Sequence, residues 1–208
     1  SMGIYIFNWD RLKQYLEADE AAPNSQNDFG NNVIPALLRD GRKMYAYHFA
    51  GYWRDVGTID SLWAANMEVL DPEHSGIDIF DESWKIYSRN PVMPCQKIGP
   101  RAAVQNSLVT EGCKIYGRVL HSVLSAGVYV EEGATVEDAV IMEGTVVKAG
   151  AVVRRAIVAD HCIVGAGATV GGEGDIAHTT YGLTIRAGAT VKPGAKVYES
   201  VKEGEEVC

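Results

Sequence analysis

From Val119 onward an aliphatic residue returns every five or six positions: Val119, Leu124, Val130, Val136, Ile141, Val147, Val153, Val158, Val164 and Val170. The intervals run 5, 6, 6, 5, 6, 6, 5, 6 and 6, so the register closes every 17 residues. Glycines keep the same phase: Gly127 and Gly144 are 17 apart, as are Gly133, Gly150 and Gly167. After a break the beat resumes with Ile185, Val191 and Val197, with Gly188 and Gly194 between them. An aliphatic residue every sixth position with turn glycines between is the pattern of hexapeptide β-helix repeats. Each short strand points one aliphatic side chain inward, and glycine allows the tight corner. Three beats close one triangular coil, and the recurring five-residue step predicts one corner shortened by a residue. The break, "GGEGDIAHTTYG" (171–182), is polar and glycine-rich and predicts a loop or turn at the coil edge.

The first 95 residues follow a different pattern. "SMGIYIF" predicts a short buried strand. "NWDRLKQYLEADEAAP" places Trp9, Leu12, Tyr15 and Leu16 on one helical face, with Asn8 as N-cap and Pro23 beyond the end. "DFGNNVIPALLRDG" predicts a second helix, with Val33, Ile34, Leu37 and Leu38 as its stripe and Gly41 at its C-cap. "KMYAYHFAGYW" alternates with period two, a strand signal. Thr58 caps a third helix carrying Ile59, Leu62, Trp63, Asn66, Met67 and Leu70. Helix alternating with strand reads as α/β, but with too few strands to complete a doubly wound sheet. "DESWKIYSRNPVMPCQKIGP" joins the halves as an extended linker over a surface, with Trp84, Ile86 and Tyr87 buried. The expected division is 1–95, the back of an α/β domain with linker, and 96–208, the β-helix.

Composition narrows the function classes. A net charge of −8 disfavours nonspecific nucleic-acid binding. No apolar run reaches the roughly 18 residues of a membrane span, and no leader-like pattern opens the chain. Cys95, Cys113, Cys162 and Cys208 form no C-x-x-C pair, which argues against a zinc site and fits reduced cytoplasmic thiols.

A β-helix can serve three ends. Acyltransferases built on this repeat use a histidine at a coil edge as general base; His121, His161 and His178 are the candidates, none marked as a base by its neighbours, and a solvated surface side chain is the alternative role. The solenoid can be a stacking platform for oligomers. It can also be the appended domain of a sugar-phosphate nucleotidyltransferase, the only reading that uses the first 95 residues.

"SMGIYIF" (1–7), "DFGNNVIPALL" (28–38), "GYWRDVGTIDSLWAANMEVL" (51–70) and "WKIYS" (84–88), followed by hexapeptide repeats, resemble the bacterial glucose-1-phosphate adenylyltransferases. The resemblance covers essentially the whole chain. It implies an α/β remnant of a Rossmann-like nucleotidyltransferase domain followed by a left-handed parallel β-helix. The family's glycine-rich nucleotide loop, its E-K-P motif and its first metal aspartate have no counterpart here, so the chain is expected to be a C-terminal fragment, inactive alone. The implied reaction joins ATP and glucose 1-phosphate into ADP-glucose and pyrophosphate for glycogen synthesis. It implies Mg²⁺ as cofactor, a cytoplasmic homotetramer, and a phosphorylated effector.

The resemblance also assigns residues. Asp55 matches the second metal aspartate; its alternative role is to cap the turn that follows. Trp53 lies along the sugar site or packs in a core, and Arg54 contacts phosphate or forms a surface ion pair. Ser1 matches a serine that binds glucose 1-phosphate. Asp28 and Phe29 match the "DFG" near the sugar pocket, with Asp28 as a plain helix N-cap the alternative. Arg154 and Arg155 are candidates for the effector, although neighbours on a strand point opposite ways, so at most one faces it. A noncatalytic regulatory or assembly subunit is the competing function.

Overall fold

The computed structural model describes residues 2–85 and 91–208. They form two compact units, Ser1–Trp53 and Arg54–Cys208.

In the first unit, helix α1 (Trp9–Glu20) starts where expected, with the Asn8 side chain accepting from the Arg11 N–H. The second helical stretch opens with a π-helical turn, Phe29–Val33, and tightens into α2 (Ile34–Arg39). Pro35 lies in the first turn of α2, where its missing N–H costs nothing. Gly41, at φ 64°, ends it. Val33 and Leu37 are the buried apolar residues here. The two strands expected over 1–7 and 43–53 form no ladder among the described residues. Ile6 is 99% exposed and Tyr45 91%. The alternation marks residues with a strand's composition, but a strand is stable only beside another, and this unit supplies no neighbour for either segment.

The second unit is the solenoid with a helical segment on one side. Its strands fall into three parallel sheets, of six, seven and six strands, built from every third strand in chain order except at the C-terminal end of the seven-stranded sheet, where the last strand is the second after its neighbour. The 17-residue register is the pairing register: Val119, Val136, Val153 and Val170 stack in one sheet. Val130, Val147 and Val164 stack in another, and Leu124, Ile141 and Val158 in the third. All ten are fully buried, so the interior is a column of aliphatic layers. Coil follows coil through parallel backbone hydrogen bonds.

The five-residue steps, from Val119 to Leu124 and from Val136 to Ile141, are the shortened corner. It turns through a left-handed residue: His121 (φ 44°), Asp138 (φ 49°) and Arg155 (φ 47°) occupy equivalent places. Asn, Asp and His are the side-chain-bearing residues that most often adopt this conformation; Arg155 is the exception. At one six-residue corner Gly133 (φ 79°) and Gly150 (φ 71°) serve instead, with Gly150 N 3.7 Å from where a Gly133 Cβ would stand.

The break is smaller than its sequence suggests. Ala177–Thr179 is a strand in the third sheet, pairing Ala156 with Ala177 and Ile157 with His178. Only residues 172–175 are extra, inserted at the shortened corner after Gly171. The polar residues His178 and Thr179 are buried there. In the linker, Trp84 is 79% exposed and not buried as expected; Ile86 and Tyr87 lie outside the described residues. Past it, Pro94 O accepts from Gly112 N–H and Met93 covers Gly112 and Gly127, so 93–95 run along the first coils.

Helix α3 (Ile59–Glu68) belongs to the solenoid's unit. Met67 packs with Val140, Ile157 and Ile176, flanked by Ile59, Leu62, Trp63, Leu70, Val123 and Met142. Val140 and Ile157 are outward-facing neighbours of the inward Ile141 and Val158. The third sheet is therefore apolar on both faces because a helix covers its outside. Beyond α3 a short helix, α4 (Pro72–Ser75), ends at Gly76 with φ 74°. No helix of the described residues is long and apolar enough to cross a membrane.

Candidate functional site

Asp55 stands in the turn leading into α3. Its Oδ1 accepts from the Gly57 N–H at 3.1 Å, which is the turn-capping geometry. Thr58 then caps the helix reciprocally: its Oγ1 accepts from Ser61 N–H, and Ser61 Oγ accepts from Thr58 N–H. Arg54 pairs with Glu68, in the last turn of α3. The residue before Asp55 is thus tied to one end of α3, and the residues after it form the cap at the other. Arg54 makes the ion pair that was the alternative to a phosphate contact.

One oxygen of Asp55 bonds the backbone, and the carboxylate is exposed. Among the described residues no group of three His, Cys, Asp or Glu side chains could hold a metal ion. Mg²⁺ takes one or two carboxylates and fills its remaining positions with phosphate and water. Asp55 therefore fits as one ligand of such an ion, and the described residues bring no second and third His, Cys, Asp or Glu beside it.

The other sugar-site candidates lie in the first unit. Asp28 caps the Phe29–Val33 turn, accepting from Asn31 N–H at 2.6 Å, as its alternative role foresaw. Phe29 stacks on Tyr5, ring centroids 5.8 Å apart, and tilts against Phe7 at 5.9 Å. Trp53 is 45% exposed, so it is no core residue of this chain. Ser1 lies outside the described residues.

The arginine pair is engaged by the protein itself. Arg154 Nε and Nη2 both donate to Glu137 Oε2, at 3.0 and 2.9 Å, one coil away. Arg155 Nε donates to Gly174 O at 2.6 Å, and its guanidinium lies 4.7 Å from the Trp63 ring centroid. Trp63 Nε1–H in turn donates to Asp138 O at 2.7 Å. A shallow groove runs past Glu137, Asp138, Arg154, Arg155 and residues 172–174.

The histidines divide. His121 Nδ1 lies 2.6 Å from Asp138 Oδ1, a partner the sequence reading did not find. His161 sits edge-on to Tyr181. His178 is 8% exposed and edge-on to Tyr198, and its buried Nδ1 has no hydrogen-bond partner among the described residues. Burial lowers its pKa, neighbouring Lys196 lowers it further, and Asp60 of α3 opposes both. The His121–Asp138 pair and the Arg155–Trp63 contact both escaped the sequence reading. A signal existed for the first: Asp138 is 17 residues after His121, and Arg155 another 17 on, the same repeat that aligned the valines.

A sequence model of the nucleotidyl transferase family matches residues 1–72, and one of the GlmU-like C-terminal hexapeptide region matches 93–191. Among curated relatives, the chain is 56% identical over 138 residues to a glucose-1-phosphate adenylyltransferase of Clostridium perfringens (strain SM101 / Type A), covering 66% of this chain and 35% of that protein. Enzymes of the same name from Geobacillus stearothermophilus (57% over 137 residues, 66% and 35%) and Acetivibrio thermocellus (54% over 140 residues, 66% and 32%) are similar to it to the same degree. The chain spans about a third of the length of the curated relatives it matches.

Proposed function

We propose that this chain, which belongs to the glucose-1-phosphate adenylyltransferase family, is the C-terminal part of an enzyme making ADP-glucose and pyrophosphate from ATP and glucose 1-phosphate. The observation that carries the proposal is the identity of 53–57% to enzymes bearing that name. In the reaction the sugar phosphate oxygen attacks the α-phosphorus of ATP, and pyrophosphate leaves. Mg²⁺ would supply charge neutralisation on the phosphates. The chain's own contribution is placement: Asp55 presents one carboxylate oxygen from a turn braced at both ends of α3. Trp53, Asp28, Phe29 and Ser1 are proposed to line the glucose 1-phosphate site of the longer protein. We keep the division at 95/96 as that of the parent enzyme's domains, and a cytoplasmic homotetramer in glycogen synthesis as its setting.

A phosphorylated effector at Arg154 or Arg155 is part of the proposal. An incoming phosphate would compete with Glu137 for Arg154, or take the N–H groups of Arg155 that Gly174 O does not occupy. Loss of effector response in Arg154→Ala or Arg155→Ala supports it, and an unchanged response in both refutes it. The competing function is a noncatalytic subunit. Pyrophosphate release from ATP and glucose 1-phosphate by the longer protein separates the two: turnover supports the enzyme, and none supports the subunit.

A further inference from the structure

We infer that Arg155 is a positioning residue, which clamps α3 to the solenoid through Trp63 and thereby fixes the Asp55 turn. The bearing of this on chemistry rests on the metal reading of Asp55; the clamp itself rests on geometry. Three observations converge on it. The corner inserts four residues after Gly171, and the insertion delivers Gly174 O to the Arg155 Nε–H. With Nε so held, the guanidinium carbon lies over the Trp63 ring, 4.7 Å from its centroid, where the ring's negative quadrupole attracts a cation. The indole is also pinned at its edge, by its own N–H to Asp138 O in the preceding coil. Trp63 is thus gripped by two successive coils at their shortened corners.

The grip is transmitted along a short path. Trp63 is the fifth residue of α3, between the Thr58–Ser61 capping box and Glu68. Glu68 holds Arg54, and the capping box follows directly on the Asp55–Gly57 turn. A helix free to shift on the third sheet would move both supports of Asp55 together. Arg155 also holds a left-handed conformation, at φ 47°, that a side chain other than Asn, Asp or His seldom adopts. The corner accepts that cost at the one place where an arginine reaches Trp63.

Backbone amide hydrogen exchange on the protein tests the clamp without reference to activity. Arg155→Ala should speed exchange across Ile59–Glu68 and at Gly57, by about tenfold, the scale of a partly desolvated cation–aromatic contact with its hydrogen bond. Arg155→Gly removes the same guanidinium while relieving the left-handed backbone, and should do likewise. Arg155→Lys keeps a cation for Trp63 and should restore most of the protection. Arg101→Ala, which removes a cation from an exposed ion pair at another corner, should leave these amides unchanged. In the longer enzyme, Arg155→Gly should raise the Mg²⁺ concentration for half-maximal activity several-fold. Unchanged exchange in both Arg155→Ala and Arg155→Gly overturns the clamp. Faster exchange of α3 with Gly57 and the Mg²⁺ requirement both as in the wild type overturns its reach to Asp55. The metal reading fails separately, if Asp55→Asn leaves the Mg²⁺ requirement unchanged.

Discussion

Replacing Ile141 by alanine tests whether the solenoid interior is as tightly layered as the register implies. Ile141 is fully buried, stacked between Leu124 in the coil before and Val158 in the coil after. Alanine removes three carbons, worth about 0.8 kcal/mol each in transfer, or about 2.4 kcal/mol before any cavity forms. The layers above and below are fixed by parallel ladders, so the gap cannot close by side-chain drift. That places the total toward the upper part of the usual range, about 3–5 kcal/mol. Ile141→Val removes one carbon and should cost about 1 kcal/mol. Val152→Ala, on the outer face beside the inward Val153, should stay within about 0.5–1 kcal/mol because that side chain is only half-buried. Denaturant unfolding with an unchanged m-value reads all three. In a stack where each coil touches only its neighbours, Ile141→Ala should couple to Val158→Ala and add independently to Val197→Ala. A cost for Ile141→Ala no greater than that for Val152→Ala would refute the layered core.

Acidification should destabilise the region around His178. Its folded pKa is lowered, so the neutral ring is the favoured folded form; stability is full above the unfolded value of about 6.5 and falls as pH drops from there through the folded value. His178→Leu should flatten that acid limb, and a limb of unchanged slope in urea melts between pH 7 and 5 would contradict it. His74 pulls the other way, its pKa raised by a hydrogen bond to Asp71, but it is exposed and is best silenced as His74→Gln in both backgrounds. A thiol reagent should modify Cys95 and Cys208 quickly and leave Cys113 and Cys162 untouched until unfolding, since both are fully buried and burial raises the Cys113 pKa. Two thiols per native chain is the expected count, and four would refute it. Thr58→Ala breaks the capping box of α3 and should cost about 1 kcal/mol, read as faster exchange of the first-turn amides.

The solenoid was legible in the sequence because its period is set by local geometry: one inward aliphatic per strand, one left-handed or glycine turn per corner. Residues such as Val136 and Gly150 carry that rule in their identities. The third helix was legible for the same kind of reason, Thr58 and the Ile59–Met67 stripe being local signals. What covers the stripe was not legible. Val140 and Ile157 read as ordinary β residues, and only the fold shows that α3 packs on them. The first-unit strands failed in the opposite way, since the alternation of Tyr45, Tyr47 and Phe49 is real but a ladder needs a second strand. At the site, the turn role of Asp55 and the capping role of Asp28 follow from neighbours two or three residues away. The Arg155–Trp63 contact joins residues 92 positions apart, and no local pattern encodes it.

The central claim is that Asp55 presents a metal-binding carboxylate in an ADP-glucose-forming enzyme. The most direct measurement is ADP-glucose formation from ATP and glucose 1-phosphate across a Mg²⁺ titration, using the longer enzyme as wild type and as Asp55→Asn. Asparagine preserves the acceptor for Gly57 N–H, so the turn survives while the charge is lost. The account predicts robust wild-type turnover and a loss of at least about a hundredfold in Asp55→Asn, the scale of removing one preorganised charged contact to a transferring phosphate. An Asp55→Asn enzyme as active as the wild type at every Mg²⁺ concentration would contradict the claim and leave Asp55 as a cap for its turn.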